Sequence, residues 1–434
     1  MKFYSTNKKS PFGSLKEVVM RGMPLDKGLY MPERIPKLDK QFFQELTKDS
    51  WKPLCLKVAE AFIGEDVSKE VIREIIDDAF YFDAPLVELE KGLYILELFH
   101  GPTLSFKDFG SRFMARLISF FLKEKSEKKL CVLVATSGDT GSAVGNGFLG
   151  VQGIDVVILY PKGKVSRIQE QQMATMGRNV EALEIEGTFD DCQKLVKEAF
   201  ADLSLQEKIS LTSANSINFA RLLPQMFYYI YAYAQLKERS KPFVFSVPSG
   251  NFGNLVAGLF AGQMGLPVHH YIASTNRNNS VPEYLKSGVF RPRASVRTIS
   301  NSMDVGNPSN FGRMLDLYGN SRDKMSEKIY GASFNDDETR EAIVHVKNKY
   351  AYLMDPHGAV GYLGLCQYLK TQAEPINGIV LETAHPAKFL EEVQAVVKEE
   401  VKIPENLQRD LELEKKTTVI PNHYEALKNF LLSF

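Results

Sequence analysis

The sequence lacks a charge bias. Lys plus Arg and Asp plus Glu each number 53 in 434 residues, so the formal net charge is zero. A neutral balance gives no footing to a nucleic-acid surface, so any anion binding must come from local backbone amides and a few well-placed cations. Cysteine is scarce. Cys55, Cys131, Cys192 and Cys366 are scattered without paired spacing, which excludes a disulfide framework and points to reduced residues of a reducing compartment. No clustering of His and Cys suggests a metal site, zinc included. The first residues, Met1 to Asn7, have no apolar core of a secretory signal. The most apolar helical stretch, Met226 to Ala234, is too short to cross a bilayer and is rich in tyrosine. Repeats and low-complexity tracts are absent. These absences together lead us to expect a cytoplasmic protein that avoids membrane and nucleic acid. No isolated apolar stripe marks an interface, and no added regulatory domain stands out at either end.

What is present is length and alternation. The chain can build two or more domains with large cores. Residues 1 to about 82 read as helices and loops, with helical periodicity over Trp51 to Phe62 and Val67 to Phe80 and few strand signals. From Leu93 onward strands and helices alternate. The expected strands are Leu93 to Phe99, Leu130 to Ala135, Val156 to Tyr160, Val180 to Ile185, Phe243 to Val247 and Gly378 to Leu381. Helices are expected from Ser166 to Met176, Asp190 to Ala201 and Pro386 to Val397. Such alternation implies parallel sheets covered by helices, with ligands collecting at the carboxyl ends of the strands.

The segment Gly101 to Gly110 organises the rest. An apolar strand precedes it, and Phe109, Phe113, Met114, Leu117, Ile118 and Phe121 follow at helical spacing. Lys107 therefore sits near a helix start, where Ser105 and Asp108 have the spacing of a capping box. The positive end of the helix dipole and apolar neighbours lower an amine pKa there. A partly neutral lysine is a nucleophile able to form a Schiff base with a carbonyl cofactor. From this stretch alone, a surface lysine opening an ordinary helix explains the pattern equally well.

Three loops at strand ends offer ligand contacts. Thr136-Ser137-Gly138-Asp139-Thr140-Gly141-Ser142 follows a buried strand and opens a helix, although Asp139 weakens a direct phosphate role. Ser249-Gly250-Asn251-Phe252-Gly253-Asn254 has no acidic residue and is the better anion cradle. In Ser213 to Arg221, the spacing of Asn215, Asn218 and Arg221 can place them on one helix face, with Arg221 as a fixed cation and fork of donors. The residues alone favour a plainer account, capping by Ser213 or Ser216 with Arg221 solvated. The residues alone support no more than a pyridoxal-phosphate enzyme with an anionic substrate. A nucleotide-binding regulatory or transport module on a parallel sheet would account for the glycine loops, but not for Lys107 at a helix start.

The run Leu96-Glu97-Leu98-Phe99-His100-Gly101-Pro102-Thr103-Leu104-Ser105-Phe106-Lys107-Asp108 resembles the cofactor-lysine segment of the threonine synthase family, pyridoxal-phosphate enzymes of the tryptophan-synthase-β type. The likeness extends through Asp355 to Gly361 and covers nearly the whole chain, the N-terminal region included. It implies fold type II: an α/β architecture of two open, mostly parallel twisted sheets covered by helices, with an N-terminal helical cap over 1–82. The layout expected is a large cofactor-binding domain from 83–106 and 215–434, and a small one over 107–214. By the same resemblance Lys107 holds pyridoxal 5'-phosphate as a Schiff base and moves protons in catalysis. Gly250, Asn251, Phe252, Gly253 and Asn254 receive the cofactor phosphate, Asp139 lies by the cofactor's 3-hydroxyl, and Thr383 faces the pyridine nitrogen. Thr136, Ser137 and Thr140 cradle the substrate carboxylate, and Asn215 and Arg221 its phosphate. No metal is implied. The expected reaction takes O-phospho-L-homoserine and water to L-threonine and phosphate, by γ-elimination and β-addition of water, in a monomer or homodimer. A β-replacing sulfhydrylase or a serine/threonine dehydratase of the same fold type is the alternative, since it shares the lysine and the glycine loops.

Overall fold

The computed structural model describes residues 1–123 and 129–433. Its larger sheet has six strands. In spatial order they are Ile329–Ser333, His270–Thr275, Phe243–Pro248, Asn377–Glu382, Leu93–Glu97 and Leu86–Glu90, all parallel except the last. The central members are almost unbroken apolar runs, as strands buried on both faces must be. The smaller sheet has five parallel strands in the order Thr418–Pro421, Val180–Glu186, Ile154–Pro161, Leu130–Ala135 and Ser210–Ser213. Two open, mostly parallel sheets covered by helices are the architecture expected. Thr418–Pro421 reaches the edge of the smaller sheet from the far end of the chain, and the helix Tyr424–Ser433 packs its Leu427 and Leu431 under that sheet.

The N-terminal helices form as their periodicity indicates, over Trp51–Ile63 and Lys69–Ala79. The region also holds a small antiparallel sheet in the order Gly13–Ser14, Lys2–Ser5 and Tyr30–Pro32, where the sequence shows few strand signals. Strands of two to four residues are too short for period-2 alternation to show. The tyrosine-rich helix Gln225–Gln235 is buried along nearly its whole length, and the Tyr229 and Tyr231 hydroxyls find backbone carbonyl acceptors. Tyr229 donates to the Asn254 carbonyl at 2.8 Å and so ties this helix to a glycine loop. Among the described residues no helix is long and apolar enough to cross a membrane.

Candidate active site

Five strands deliver loops to one pocket, all from their carboxyl ends. Leu93–Glu97 leads to Lys107, Leu130–Ala135 to Asp139, Ser210–Ser213 to Arg221, Phe243–Pro248 to the Gly250 loop, and Asn377–Glu382 to Thr383. Every residue to which the resemblance assigns a role lines this pocket.

Lys107 is the first residue of the helix Lys107–Leu122. The segment before it is fixed by backbone pairing with the segment after the strand Asn377–Glu382. Ser105 bridges Ala384, Phe106 N–H donates to the Thr383 carbonyl at 2.9 Å, and His385 N–H to the Leu104 carbonyl at 3.0 Å. That pairing brings Lys107 and Thr383 to the same wall. The expected capping box does not form. The helix start has no side-chain cap, and the Ser105 hydroxyl is buried without a partner. Asp108 instead turns back to accept from Thr103 N–H at 2.9 Å and Thr103 Oγ1 at 2.6 Å. The Lys107 side chain is only 14 % exposed. Burial pulls its pKa down to about 8. Asp139 opposes this, while Lys388 and Arg221 add to it.

The loop 136–142 opens the helix Asp139–Phe148. The Thr136 hydroxyl closes the turn, donating to the Gly138 carbonyl at 2.8 Å and accepting from Gly138 N–H at 3.0 Å and Gly141 N–H at 3.1 Å. Ser137 and Thr140 face the pocket beside it. Asp139 is buried, with one carboxylate oxygen 3.9 Å from Lys107 Nζ. Burial alone would raise its pKa, but Lys388 and then Lys107 outweigh that and hold the carboxyl well below its usual range.

The Gly250 loop is built for close approach. A Cβ on Gly250 would stand 2.6 Å from Met303 Cα, and one on Gly253 would stand 2.9 Å from Ser216 Cβ. Phe252 adopts the left-handed conformation, φ 59°, and its helix, Gly253–Met264, starts without a side-chain cap. Uncapped N–H groups at a glycine-lined helix start are an anion cradle. The loop's asparagines are its braces. Asn251 donates to Ser216 Oγ at 2.7 Å and accepts from Ser309 N–H at 2.7 Å, while Asn254 donates to the Pro248 carbonyl at 2.9 Å and accepts from Ser249 Oγ at 2.9 Å.

The shared helix face expected for Asn215, Asn218 and Arg221 does not exist, because the helix spans only Phe219–Leu222. Its cap is Asn218, not Ser213 or Ser216. Asn218 is buried, accepts from Ala220 N–H at 3.0 Å, and points away to the Val19 carbonyl at 2.9 Å. Asn215 lies in the preceding loop and donates to the Ala135 carbonyl at 3.1 Å. Arg221 is buried, not solvated. Nη1 donates to the Ala214 carbonyl at 2.6 Å, and Nε is buried with no partner. Burial draws its pKa down to about 10, against the attraction of Asp108. A buried guanidinium with an idle donor, lining a pocket, is a site for an anionic oxygen.

Lys388, Gln169 and Ser302 close around Asp139, and no motif of the sequence singles out these three. Lys388, fully buried, stands 2.9 Å from its Oδ1. Gln169 donates to Oδ1 at 3.0 Å, and Ser302 Oγ to Oδ2 at 2.9 Å. His357 accepts from Ser302 N–H at 3.2 Å and lies 3.2 Å from Asp355. The only hint of Lys388 in the sequence is a lysine set among apolar residues just after a core strand.

A model of the pyridoxal-phosphate dependent enzyme family matches residues 79–381. Fold and site therefore define a pyridoxal-phosphate-dependent enzyme of fold type II. Models of the threonine synthase N terminus and C-terminal region match 2–80 and 358–431. A curated threonine synthase from Haemophilus influenzae is 42% identical over 420 residues, covering 96% of each chain. The crystal structure of threonine synthase from Escherichia coli superposes with a TM-score of 0.93 at 40% identity, covering 100% of both chains. The pyridoxal-phosphate-bound threonine synthase from Brucella melitensis gives 0.92 at 34% identity, covering 99% of this chain and 98% of that one. The chain belongs to the threonine synthase family. With the family come a lyase reaction of threonine biosynthesis and the cofactor pyridoxal phosphate. The residues fit that cofactor: a buried lysine of lowered pKa and an uncapped, glycine-lined helix start open into the same pocket.

Proposed function

We propose that the substrate is O-phospho-L-homoserine, converted with water to L-threonine and phosphate. The observation that favours this reading is Arg221, a buried guanidinium with an unused Nε, in the same pocket as a separate anion cradle at the Gly250 loop. One cradle suits the cofactor phosphate, formed by Gly250, Asn251, Phe252, Gly253 and Asn254. The other, Arg221 with Asn215, suits a phosphate on the substrate. Thr136, Ser137 and Thr140 hold the substrate carboxylate through the start of their helix. Thr383 would offer a neutral hydroxyl to the pyridine nitrogen, and Asp139 would stand by the cofactor's 3-hydroxyl.

When bound, pyridoxal phosphate supplies the electron sink for charge developing on the substrate carbons. Lys107 would hold the cofactor through its amine, which is free to act as a base once substrate is bound. The freed Lys107 amine, neutral above about pH 8, takes a proton at the α carbon and moves protons at the β and γ carbons. The Cγ–O bond breaks, and phosphate leaves with the electron pair into the hold of Arg221 and Asn215. Water adds its oxygen at the β carbon, and the Lys107 ammonium returns a proton to the substrate carbon. The four free thiols, three of them buried, suit a reducing, cytoplasmic setting; the reading takes the protein as a monomer or homodimer.

The test is an absorbance spectrum with and without O-phosphohomoserine, with phosphate and threonine followed alongside. A violet-region band that shifts as both products appear is the expected result. A band that responds instead to serine or O-acetylserine, without phosphate release, would hand the pocket to a sulfhydrylase or dehydratase.

A further inference from the structure

The fully buried Lys388 lies in the 3₁₀ turn Pro386–Phe389, just after the strand Asn377–Glu382. A buried ammonium persists only with close, well-placed partners. Lys388 has two: Asp139 Oδ1 at 2.9 Å and the Thr103 carbonyl at 2.7 Å. Three segments thus meet at one cation. They are the loop leading to Lys107, the helix start at Asp139 on the smaller sheet, and the turn after a central strand of the larger sheet.

The charges decide what that cation does. Asp139 faces both lysines, Lys388 at 2.9 Å and Lys107 at 3.9 Å. With Lys388 present the carboxylate is already neutralised, and Lys107 can shed its proton without leaving a bare buried anion. With Lys388 absent, the nearest cation to Asp139 would be Lys107 itself. An opposite charge within about 4–6 Å holds a group in its charged form. Arg221 and Asp355 also act on Lys107, and His357 on Asp139, while Lys388 acts on Asp108 and Asp410 as well.

We propose that Lys388 is a positioning residue that neutralises and orients Asp139 and thereby keeps the Lys107 amine available as nucleophile and base. This rests on the reading of Lys107 as the cofactor lysine.

The experiment labels the full chain, free of cofactor, with an amine-reactive reagent across pH. Labelling of Lys107 is read by peptide mass spectrometry, with and without pyridoxal phosphate. Protection of Lys107 by the cofactor in the unsubstituted protein tests the underlying reading, and no protection would end that reading. Given protection, Lys388→Met is expected to move the Lys107 labelling midpoint up by about one pH unit or more. Lys388→Arg should leave it near its original place. An unmoved midpoint in Lys388→Met, with protection intact, overturns the role of Lys388 alone. Should Lys388→Met fail to fold, Asp139→Asn and the double variant Asp139→Asn/Lys388→Met carry the test, because the double variant leaves no buried charge unpaired. Asp139→Asn is expected to lower the midpoint and the double variant to keep it low, because Lys388 acts through Asp139. A double variant with its midpoint about one pH unit or more above that of Asp139→Asn would overturn the proposal.

Discussion

The Arg221 guanidinium runs across Gly110: a Cβ on that glycine would lie 2.7 Å from Nε. Gly110 sits one helical turn below Lys107, on the face of Lys107–Leu122 that meets Phe219–Leu222. The absent side chain is what lets a buried arginine reach the pocket. Gly110→Ala should therefore displace Arg221 while a helix-favouring residue keeps the helix itself intact. The expected result is a Michaelis constant for O-phosphohomoserine raised roughly tenfold or more, with cofactor absorbance retained, since even a small misplacement of a positioning group is costly. Steady-state kinetics alongside the spectrum check this. An unchanged constant would mean that Arg221 tolerates the shift.

Arg221 itself gives the more direct reading. Charge-assisted hydrogen bonds contribute about 1.5–3 kcal/mol each. Arg221→Ala should raise the Michaelis constant for the phosphorylated substrate by roughly ten- to a hundredfold, and Arg221→Lys should recover only part of this, for want of the planar fork. Binding of an unphosphorylated amino-acid analogue, followed by the spectral shift, should change little. Equal losses for both ligands would argue against contact with the substrate phosphate.

Legibility in the sequence followed how local the cause was. Lys107 and the two glycine loops were readable because each lies in a strand–turn–helix unit of about a dozen residues. The apolar central strands were readable for the same reason. His270–Thr275, Ile329–Ser333, Leu86–Glu90 and Ser210–Ser213 are not legible as strands, because polar residues or glycine interrupt each apolar run. Thr418–Pro421 is a strand only because Val180–Glu186 lies beside it, more than two hundred residues earlier. The supposed capping box failed because Thr103 offers Asp108 two donors that the pattern Ser105-x-x-Asp108 cannot reveal. The burial of Arg221 and Lys388 likewise depends on what folds over them, not on their neighbours in sequence.

The lowered pKa of Lys107 has two consequences of known sign. The nucleophile is the neutral amine, so uptake of pyridoxal phosphate by the cofactor-free protein should speed up as pH rises through about 8 and then level. Stopped-flow absorbance measures this directly. In the unfolded chain the same amine titrates near 10.5, so between about 8 and 10.5 the unfolded state binds more protons. The stability of the cofactor-free protein relative to a Lys107→Met variant should therefore rise with pH through that window. Denaturant titrations at several pH values read the difference, and a flat or falling one would contradict a depressed amine pKa.

Arg313 is a second buried guanidinium, and here every donor is spent on backbone or amide oxygens. Nε and Nη2 donate to the Tyr30 carbonyl at 3.1 and 3.0 Å, Nη2 also to the Ile217 carbonyl at 2.6 Å, and Nη1 to the Ser216 carbonyl at 3.1 Å and Asn310 Oδ1 at 2.7 Å. Burial without any carboxylate draws its pKa down to about 9. The guanidinium joins the small N-terminal sheet to the Ser216 segment, and Ser216 Oγ in turn accepts from Asn251 of the proposed cofactor cradle at 2.7 Å. Arg313→Met would leave the Tyr30 and Ile217 carbonyls without their guanidinium donors and Ser216 with only Asn310, at about 1–3 kcal/mol for each group left unpaired. A loss of about 3 kcal/mol or more in chemical denaturation is expected, along with weaker binding of pyridoxal phosphate, because Asn251 loses its backing. Arg313→Lys keeps the charge but cannot reach four acceptors at once, so its stability should fall between the two. If Arg313→Met unfolded earlier while its affinity for the cofactor stayed unchanged, the arginine would be a brace of the fold alone, and the link through Ser216 to the cradle would be broken.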